Sequence, residues 1–218
     1  MRIHDTNLEY ITKKYPNYVS RTMEEIHPYI NPPWWSLTNT TTHITNTPKD
    51  KAKEEHENFL KEHNTPNNLH IYMDGSGIAN CIGAYCPTIS ATAHLYLGKA
   101  DTANVYMAEL AAIHLGIKMA GKSNVQFNKM SIYVDNQSSI QAIVKPKQHS
   151  RQYIVRNILH DLEELQHQRP NLEFRIAWVP GHMDITGNEK ADEEAKKAAQ
   201  EQHIVIEVPC TSIMSIQK

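Results

Sequence analysis

The chain has 218 residues, a formal net charge of −2 and a pI near 6.7. This length predicts one domain of ordinary size plus an extension, and the charge excludes a strongly basic nucleic-acid coat protein. An enzyme that binds its substrate locally through metal ions remains compatible with it. The three cysteines, Cys81, Cys86 and Cys210, form no CxxC pair. They therefore support neither a zinc ribbon nor a disulfide scaffold, and a reducing compartment fits best.

The sequence predicts neither a membrane span nor a signal peptide. No apolar run has the length that crosses a bilayer, and the first residues lack the apolar core of a signal peptide. We therefore expect a soluble intracellular protein in the cytoplasm, the nucleus or both, without a membrane partner.

Residues 1–68 are polar and rich in Thr, Asn, His and Pro, which predicts an extension or linker and not a second compact domain. Helical patterns occur at 8–14, 22–27 and 48–64. Trp34 and Trp35 follow two prolines, and tryptophans are costly to leave in water. The pair could clamp onto the protein's own core or contact a neighbouring domain, and the sequence leaves both alternatives open.

From residue 69 the pattern changes to short apolar runs and amphipathic stretches. Three strands are predicted to form an antiparallel meander: 69–73, 79–85 and 92–97. A glycine-rich turn is predicted at 74–77. The later elements are a helix at 103–119, a strand at 130–134, helices at 136–144 and 152–168, a strand at 172–179 and a helix at 188–202. This order predicts an α/β domain over 69–202, with a five-stranded mixed sheet covered by helices, and a tail at 203–218.

Four acidic residues stand out by their positions. Asp74 and Asp135 each follow an apolar strand, whereas Glu109 and Asp192 lie in helical stretches. Carboxylates at the ends of buried strands are costly unless a cation meets them, so convergence of the four would indicate a metal site. Each also has an ordinary alternative: a turn for Asp74, a solvated helix face for Glu109, an N-cap for Asp135 and the helix dipole for Asp192. The combination favours a magnesium-dependent nuclease.

The stretch 178–192 is the most specific in the chain. A strand ends at Pro180, a loop between Gly181 and Gly187 contains His182, and a helix follows. A loop histidine is suited to proton transfer near a metal site, and the alternative is a structural histidine.

Four motifs in this order resemble those of type 1 ribonuclease H. They are Asp-Gly-Ser-Gly at 74–77, Ala-Glu-Leu at 108–110, Val-Asp-Asn-Gln at 134–137 and Val-Pro-Gly-His…Gly-Asn-Glu-Lys-Ala-Asp at 179–192. The resemblance covers about 69–202. It implies a ribonuclease H-like sheet of order 3-2-1-4-5, two Mg²⁺ ions with Mn²⁺ as a substitute, and hydrolysis of the RNA strand of an RNA/DNA hybrid.

The resemblance also implies residue roles. The metal-ligating and catalytic carboxylates would be Asp74, Glu109, Asp135 and Asp192. His182 would assist proton transfer or product release, and Gln137 would contact the RNA minor groove. Some cellular members have a basic helical protrusion between the second and third helices, whereas this chain has only the short interval 145–152 with three basic residues. We therefore predict weak substrate affinity and a steep loss of activity with salt.

The flanking segments are similar to those around the ribonuclease H region of fungal-type non-LTR retrotransposon polyproteins. These segments are Pro-Pro-Trp-Trp at 32–35 and the apolar tail at 206–216. The similarity implies a reverse transcriptase domain as a partner that is absent from this chain. Two other functions remain open: a catalytically silent retroelement remnant that binds nucleic acid or protein, and another nuclease or transposase of the same broad fold. The helix motif at 187–192 opposes the last of these.

Overall fold

The computed structural model describes residues 31–32, 35–76, 80–98, 105–147 and 150–201. The helices predicted at 8–14 and 22–27, Trp34 and the tail at 203–218 lie outside these residues. Every helix in the described part of the chain is too short or too polar to cross a membrane.

Six strands form one sheet in the order β1-β6-β5-β2-β3-β4. Their bounds are β1 Thr40–His43, β2 Asn68–Ser76, β3 Cys81–Cys86, β4 Ala91–Tyr96, β5 Lys129–Val134 and β6 Glu173–Trp178. The first four strands of this order are parallel to one another, and β2, β3 and β4 form an antiparallel meander. The predicted α/β fold is confirmed, and β2 to β6 have the expected relative order. The count of five strands was wrong, because β1 adds a sixth strand from the predicted extension.

β1 is held by pairing and not by burial of its side chains. It runs parallel to β6 from Thr40, opposite Phe174, to His43, opposite Ala177, and its residues are half-buried or exposed. Its threonines suit an extended backbone but bring no apolar face to the core. Pairing with β6 satisfies the backbone groups of an otherwise open sheet edge.

The residues just before β1 are fastened to the helix α4, Gln152–Gln168. The Trp35 indole Nε1 donates a hydrogen bond of 3.0 Å to Glu163 Oε1, and the ring packs partly buried against the core. Gln166 Nε2 donates to the Thr38 carbonyl at 2.6 Å. Trp35 therefore packs against the protein's own core. This is the first of the two alternatives that the sequence left open for the tryptophan pair.

The sheet is covered on both faces. The other helices are α1 Lys49–His63, α2 Val105–Lys122, α3 Gln137–Val144 and α5 Thr186–Glu201. Residues from α2, α3 and α4 share the main core with side chains such as Ile71 and Ile132. The opposite face of the same strands presents Tyr72 and Tyr133, which pack with residues of α1 and α5. Alternation along β2 and β5 thus divides the core into two layers.

Polar aromatic contacts hold α1 against this second face. His56 Nε2 and the Tyr72 hydroxyl are hydrogen-bonded at 2.9 Å, and the Arg175 guanidinium lies 3.8 Å from the centroid of the Phe59 ring. Burial lowers the pKa of His56 to about 4, so its imidazole is neutral near pH 7. Residues 40–63 are therefore packed against the sheet, while the domain division at residues 68 and 202 stays a prediction.

Candidate active site

Two of the predicted carboxylates lie at corresponding positions of two neighbouring parallel strands, Asp74 within β2 and Asp135 directly after β5. Met73 of β2 pairs with Val134 of β5, so Asp74 and Asp135 follow paired residues. The turn predicted at 74–77 was wrong for its first three residues, because β2 continues through Ser76 by pairing with β3. Asp135 is not the N-cap of α3, which was its alternative role. The side chain of Asn136 performs that role by accepting from Ser139 N at 3.2 Å.

Gly75 allows α2 to approach the sheet closely enough to bring Glu109 to Asp74. A Cβ on Gly75 would lie 2.5 Å from Glu109 N and 2.6 Å from the Ala108 carbonyl carbon. These are backbone atoms that cannot rotate aside, so only glycine fits at this contact. Glu109 is consequently buried, with 6% of its surface exposed.

Gly83 performs the same function for α5. It pairs with Asp74 across the β2–β3 ladder, and a Cβ there would lie 2.1 Å from the Ala191 carbonyl oxygen. The close approach of α5 to β3 places Asp192, the next residue, near Asp74, and its carboxylate also contacts Lys196 Nζ. Sequence reasoning did not identify Gly83, because its importance depends on a helix more than a hundred residues away in the chain.

The carboxylates of Asp74, Glu109 and Asp135 converge. One oxygen from each lies within 4.8 Å of the others. Asp192 lies outside this group of three but close enough to interact electrostatically with Asp74 and Asp135. All four predicted acidic residues are therefore brought to one region of the sheet, from β2, α2, α5 and the end of β5.

Burial and mutual repulsion penalise ionisation in this cluster. Burial raises the pKa of Asp74 to about 7 and that of Glu109 to about 9, and neighbouring carboxylates add to both shifts. Burial also raises the pKa of Asp135, while His182 and Lys49 oppose the rise. Glu109 Oε2 is buried without a hydrogen-bond partner. Convergent carboxylate oxygens that lack sufficient cationic partners fit a hard divalent cation such as Mg²⁺.

The loop after β6 is placed against Asp135. A Cβ on Gly181 would lie 2.5 Å from Asp135 Oδ2, so the loop backbone passes directly beside this carboxylate. His182 follows with a left-handed backbone, at φ 58°, and its side chain is exposed. The imidazole is therefore located at the solvent side of the cluster, where proton exchange is feasible.

Gln137 lies in the first turn of α3 beside the cluster. Its side-chain Nε2 donates a hydrogen bond of 3.3 Å to the Thr45 carbonyl, in the connection between β1 and α1. Lys49, at the start of α1, donates to the Gly181 carbonyl at 3.3 Å. Sequence reasoning did not identify Lys49, because the polar segment around it has no motif that connects it to the acidic residues.

A family model described as RNase H matches residues 66–200, which is more than half of the chain. The chain therefore belongs to the RNase H family and is a ribonuclease H hydrolase by membership of that family. The matched residues include Asp74, Glu109, Asp135, His182 and Asp192.

Comparison with solved structures gave RNase H domains among the similar folds. One is the N-terminal RNase H domain of Rv2228c from Mycobacterium tuberculosis, solved as a fusion with maltose-binding protein. It is 19% identical with a TM-score of 0.44, and the match covers 62% of this chain and 98% of that one. Another is LC11-RNase H1 in complex with an RNA/DNA hybrid, with 15% identity, a TM-score of 0.45 and coverages of 60% and 98%. A search of curated protein sequences gave no match.

Proposed function

We propose that this protein is an endoribonuclease that hydrolyses the RNA strand of RNA/DNA hybrids with the help of two Mg²⁺ ions. Family membership supports the class of reaction. The observation that supports metal dependence is the convergence of three carboxylates within 4.8 Å, one of which has a buried oxygen without a hydrogen-bond partner. Mn²⁺ is the expected substitute, since it also accepts carboxylate ligands.

The proposed ligands are the four acidic residues of the motifs that resemble the family: Asp74, Glu109, Asp135 and Asp192. The first three have convergent carboxylate oxygens, and Asp192 interacts with Asp74 beside them. Divalent ions at such a site supply activation of an attacking water and stabilisation of the leaving oxygen. The protein contributes the fixed positions of the carboxylates on β2, α2 and β5, and a half-buried environment that strengthens their attraction for cations. Lys196, which contacts Asp192, keeps that side chain oriented at the edge of the cluster.

Two neighbouring polar residues have proposed roles towards the substrate. His182 would accept or donate a proton at its imidazole during cleavage or product departure. Gln137 would contact the minor groove of the RNA strand, where 2′-hydroxyl groups distinguish RNA from DNA. Its hydrogen bond to Thr45 supports this role by holding the side chain at the border of the cluster.

The first test is cleavage of a labelled RNA/DNA hybrid by the purified protein with Mg²⁺, beside duplex RNA and duplex DNA. We expect cleavage of only the RNA strand of the hybrid, with none by Asp135→Asn. Cleavage of duplex DNA would contradict the assigned substrate. Hybrid binding without cleavage in Mg²⁺ or Mn²⁺, by well-folded protein, would assign the silent retroelement remnant instead.

His182→Ala is expected to lower kcat by roughly 100-fold without abolishing cleavage, because proton transfer is assisted and not created by the histidine. The pH dependence of kcat should also differ from that of the unmodified protein, because the imidazole exchanges a proton in the proposed mechanism. His160→Ala is the matched control, since His160 is exposed on α4 and belongs to a different group of side chains. An unchanged rate and pH profile in His182→Ala would remove the histidine from the mechanism.

We also propose that the domain derives from a non-LTR retrotransposon polyprotein of fungal type, in which it acts with a reverse transcriptase. The Pro-Pro-Trp-Trp segment and the tail at 206–216 support this origin. Trp35 packs against α4 within this chain, so it does not support a contact with a polymerase. Sequencing of the full transcript tests the origin: an upstream polymerase reading frame is expected, and a transcript that encodes no polymerase would contradict it.

A further inference from the structure

The connection between β1 and α1 emerges at the same edge of the sheet as the acidic cluster. β1, β6 and β5 are parallel, so their carboxyl ends meet at one edge. Asp135 follows β5 and Gly181 lies in the loop after β6. The segment 44–49 follows β1 at that edge. In open α/β sheets, ligands bind beside the carboxyl ends of the strands.

Segment 44–49 is ordered by hydrogen bonds within itself and to the site. Thr47 N donates to Thr45 Oγ1 at 3.1 Å, and the two threonine hydroxyls are 2.9 Å apart. The Thr45 carbonyl accepts from Gln137, and Lys49 Nζ donates to the Gly181 carbonyl. The segment therefore contacts both the loop that contains His182 and the helix that contains Gln137.

Lys49 brings a positive charge to the border of the carboxylates. Its partner, Gly181, is the residue whose backbone lies against Asp135 Oδ2. An ammonium group has three donors, and Gly181 accepts one of them, so the group can also donate to an anionic oxygen. Lys49 is exposed, which leaves its ammonium accessible to a ligand from solvent. A phosphodiester that approaches the carboxylates from this side would meet Lys49.

We propose that segment 44–49 forms one wall of the substrate groove and that Lys49 binds a phosphate of the nucleic acid beside the acidic cluster. The proposal rests on the proposed function, because it assigns a contact to the substrate of that same site. The interval between α3 and α4 is too short to contain a basic helical protrusion. Lys49 would supply positive charge to the substrate groove in its place. Residues 40–49 would then belong to the substrate-binding surface, although they precede the part of the chain that matches the family model.

Binding of a fluorescent RNA/DNA hybrid tests this contact. Anisotropy would be measured in Mg²⁺ over 50–200 mM salt, in a cleavage-deficient Asp74→Asn background. A lysine that neutralises one phosphate contributes about 0.9 to the slope of log affinity against log salt. Lys49→Gln is expected to lower the affinity several-fold and to reduce the slope by about that amount. Lys49→Arg is expected to retain both, because it keeps the charge.

Lys61→Gln is the matched control. It changes the same charge on the same helix, but lies about 18 Å away along the helix axis, and its ammonium donates to Asn58. The control should have the affinity and the slope of the parent protein, and thermal unfolding should show that all variants are equally folded. If Lys49 only anchors the loop, the slope in Lys49→Gln will equal that of the parent, and the proposal is overturned.

Failure of the Lys49 contact can be distinguished from failure of the proposed function. Cleavage of the hybrid by the unmodified protein, together with an unchanged slope in Lys49→Gln, overturns the phosphate contact alone. Failure of the unmodified protein both to bind and to cleave the hybrid overturns the proposed function and this contact together.

Discussion

Asp74→Asn is expected to abolish hybrid cleavage while the free energy of unfolding of the metal-free protein stays unchanged or rises. The substitution removes one of three convergent carboxylates, so the proposed metal site loses a ligand. It also removes repulsion between Asp74 and its acidic neighbours, which is unfavourable when no cation is bound. Cleavage and chemical denaturation, measured on the same preparation, separate the two effects. A variant that fails to fold would indicate a structural role for Asp74.

The stability effect depends on pH in a defined direction. Burial and neighbouring carboxylates raise the pKa of Asp74 in the folded protein to about 7, from its ordinary value of 3.8. The folded state therefore retains a proton that the unfolded state loses, and stability falls as the pH rises from about 4 through about 7. We expect the gain from Asp74→Asn, relative to the unmodified protein, to be larger at pH 8 than at pH 5. An equal gain at both values would contradict the assigned burial of the carboxylate.

Addition of Mg²⁺ should make the unmodified protein more stable than Asp74→Asn. A ligand present at 100 times its Kd stabilises the folded state by about 2.7 kcal/mol, and Asp74→Asn should lose most of this gain. Asp184→Asn is the matched control, because Asp184 is exposed in the loop after β6 with a left-handed backbone that asparagine also tolerates. It should keep both the activity and the Mg²⁺-dependent rise in Tm. The same rise in Asp74→Asn would exclude Asp74 as a ligand.

Gly75→Ala is expected to lower the free energy of unfolding by about 3 kcal/mol, at the upper end of ordinary overpacking. The added methyl group would meet backbone atoms of Ala108 and Glu109 at 2.5–2.6 Å, so α2 must move away from β2. This movement carries Glu109 away from Asp74. We therefore also expect a loss of the stabilisation by Mg²⁺, measured as the shift in Tm.

Gly121→Ala, on the same helix α2, is expected to raise the free energy of unfolding and not to lower it. A Cβ at this position would meet only Leu165 Cδ2, at 3.6 Å, which is an ordinary contact. Alanine is favoured over glycine in helices, so the substitution should raise stability by up to about 1 kcal/mol and preserve the response to Mg²⁺. If the two substitutions have equal effects, close approach at Gly75 is not what positions Glu109.

Local sequence patterns were sufficient for much of the fold. The apolar runs of β2, β5 and β6 and the periodic stretches of α2 and α4 depend on neighbouring residues in the chain, so they can be recognised without a structure. The spacing of motifs likewise selected the four acidic residues and His182 before their positions in space were known. The N-cap alternative for Asp135 was excluded only by the structure, in which Asn136 caps α3.

The sequence by itself determined which residues could carry the chemistry, whereas the tertiary structure decided how they are brought together. β1 is a threonine-rich edge strand whose conformation comes from pairing with β6, more than a hundred residues later. Gly75 and Gly83 matter because helices distant in sequence press against them, and Lys49 reaches the site only because β1 is parallel to β6. Such contacts depend on pairs of residues far apart in the chain, and no local pattern of either partner records them.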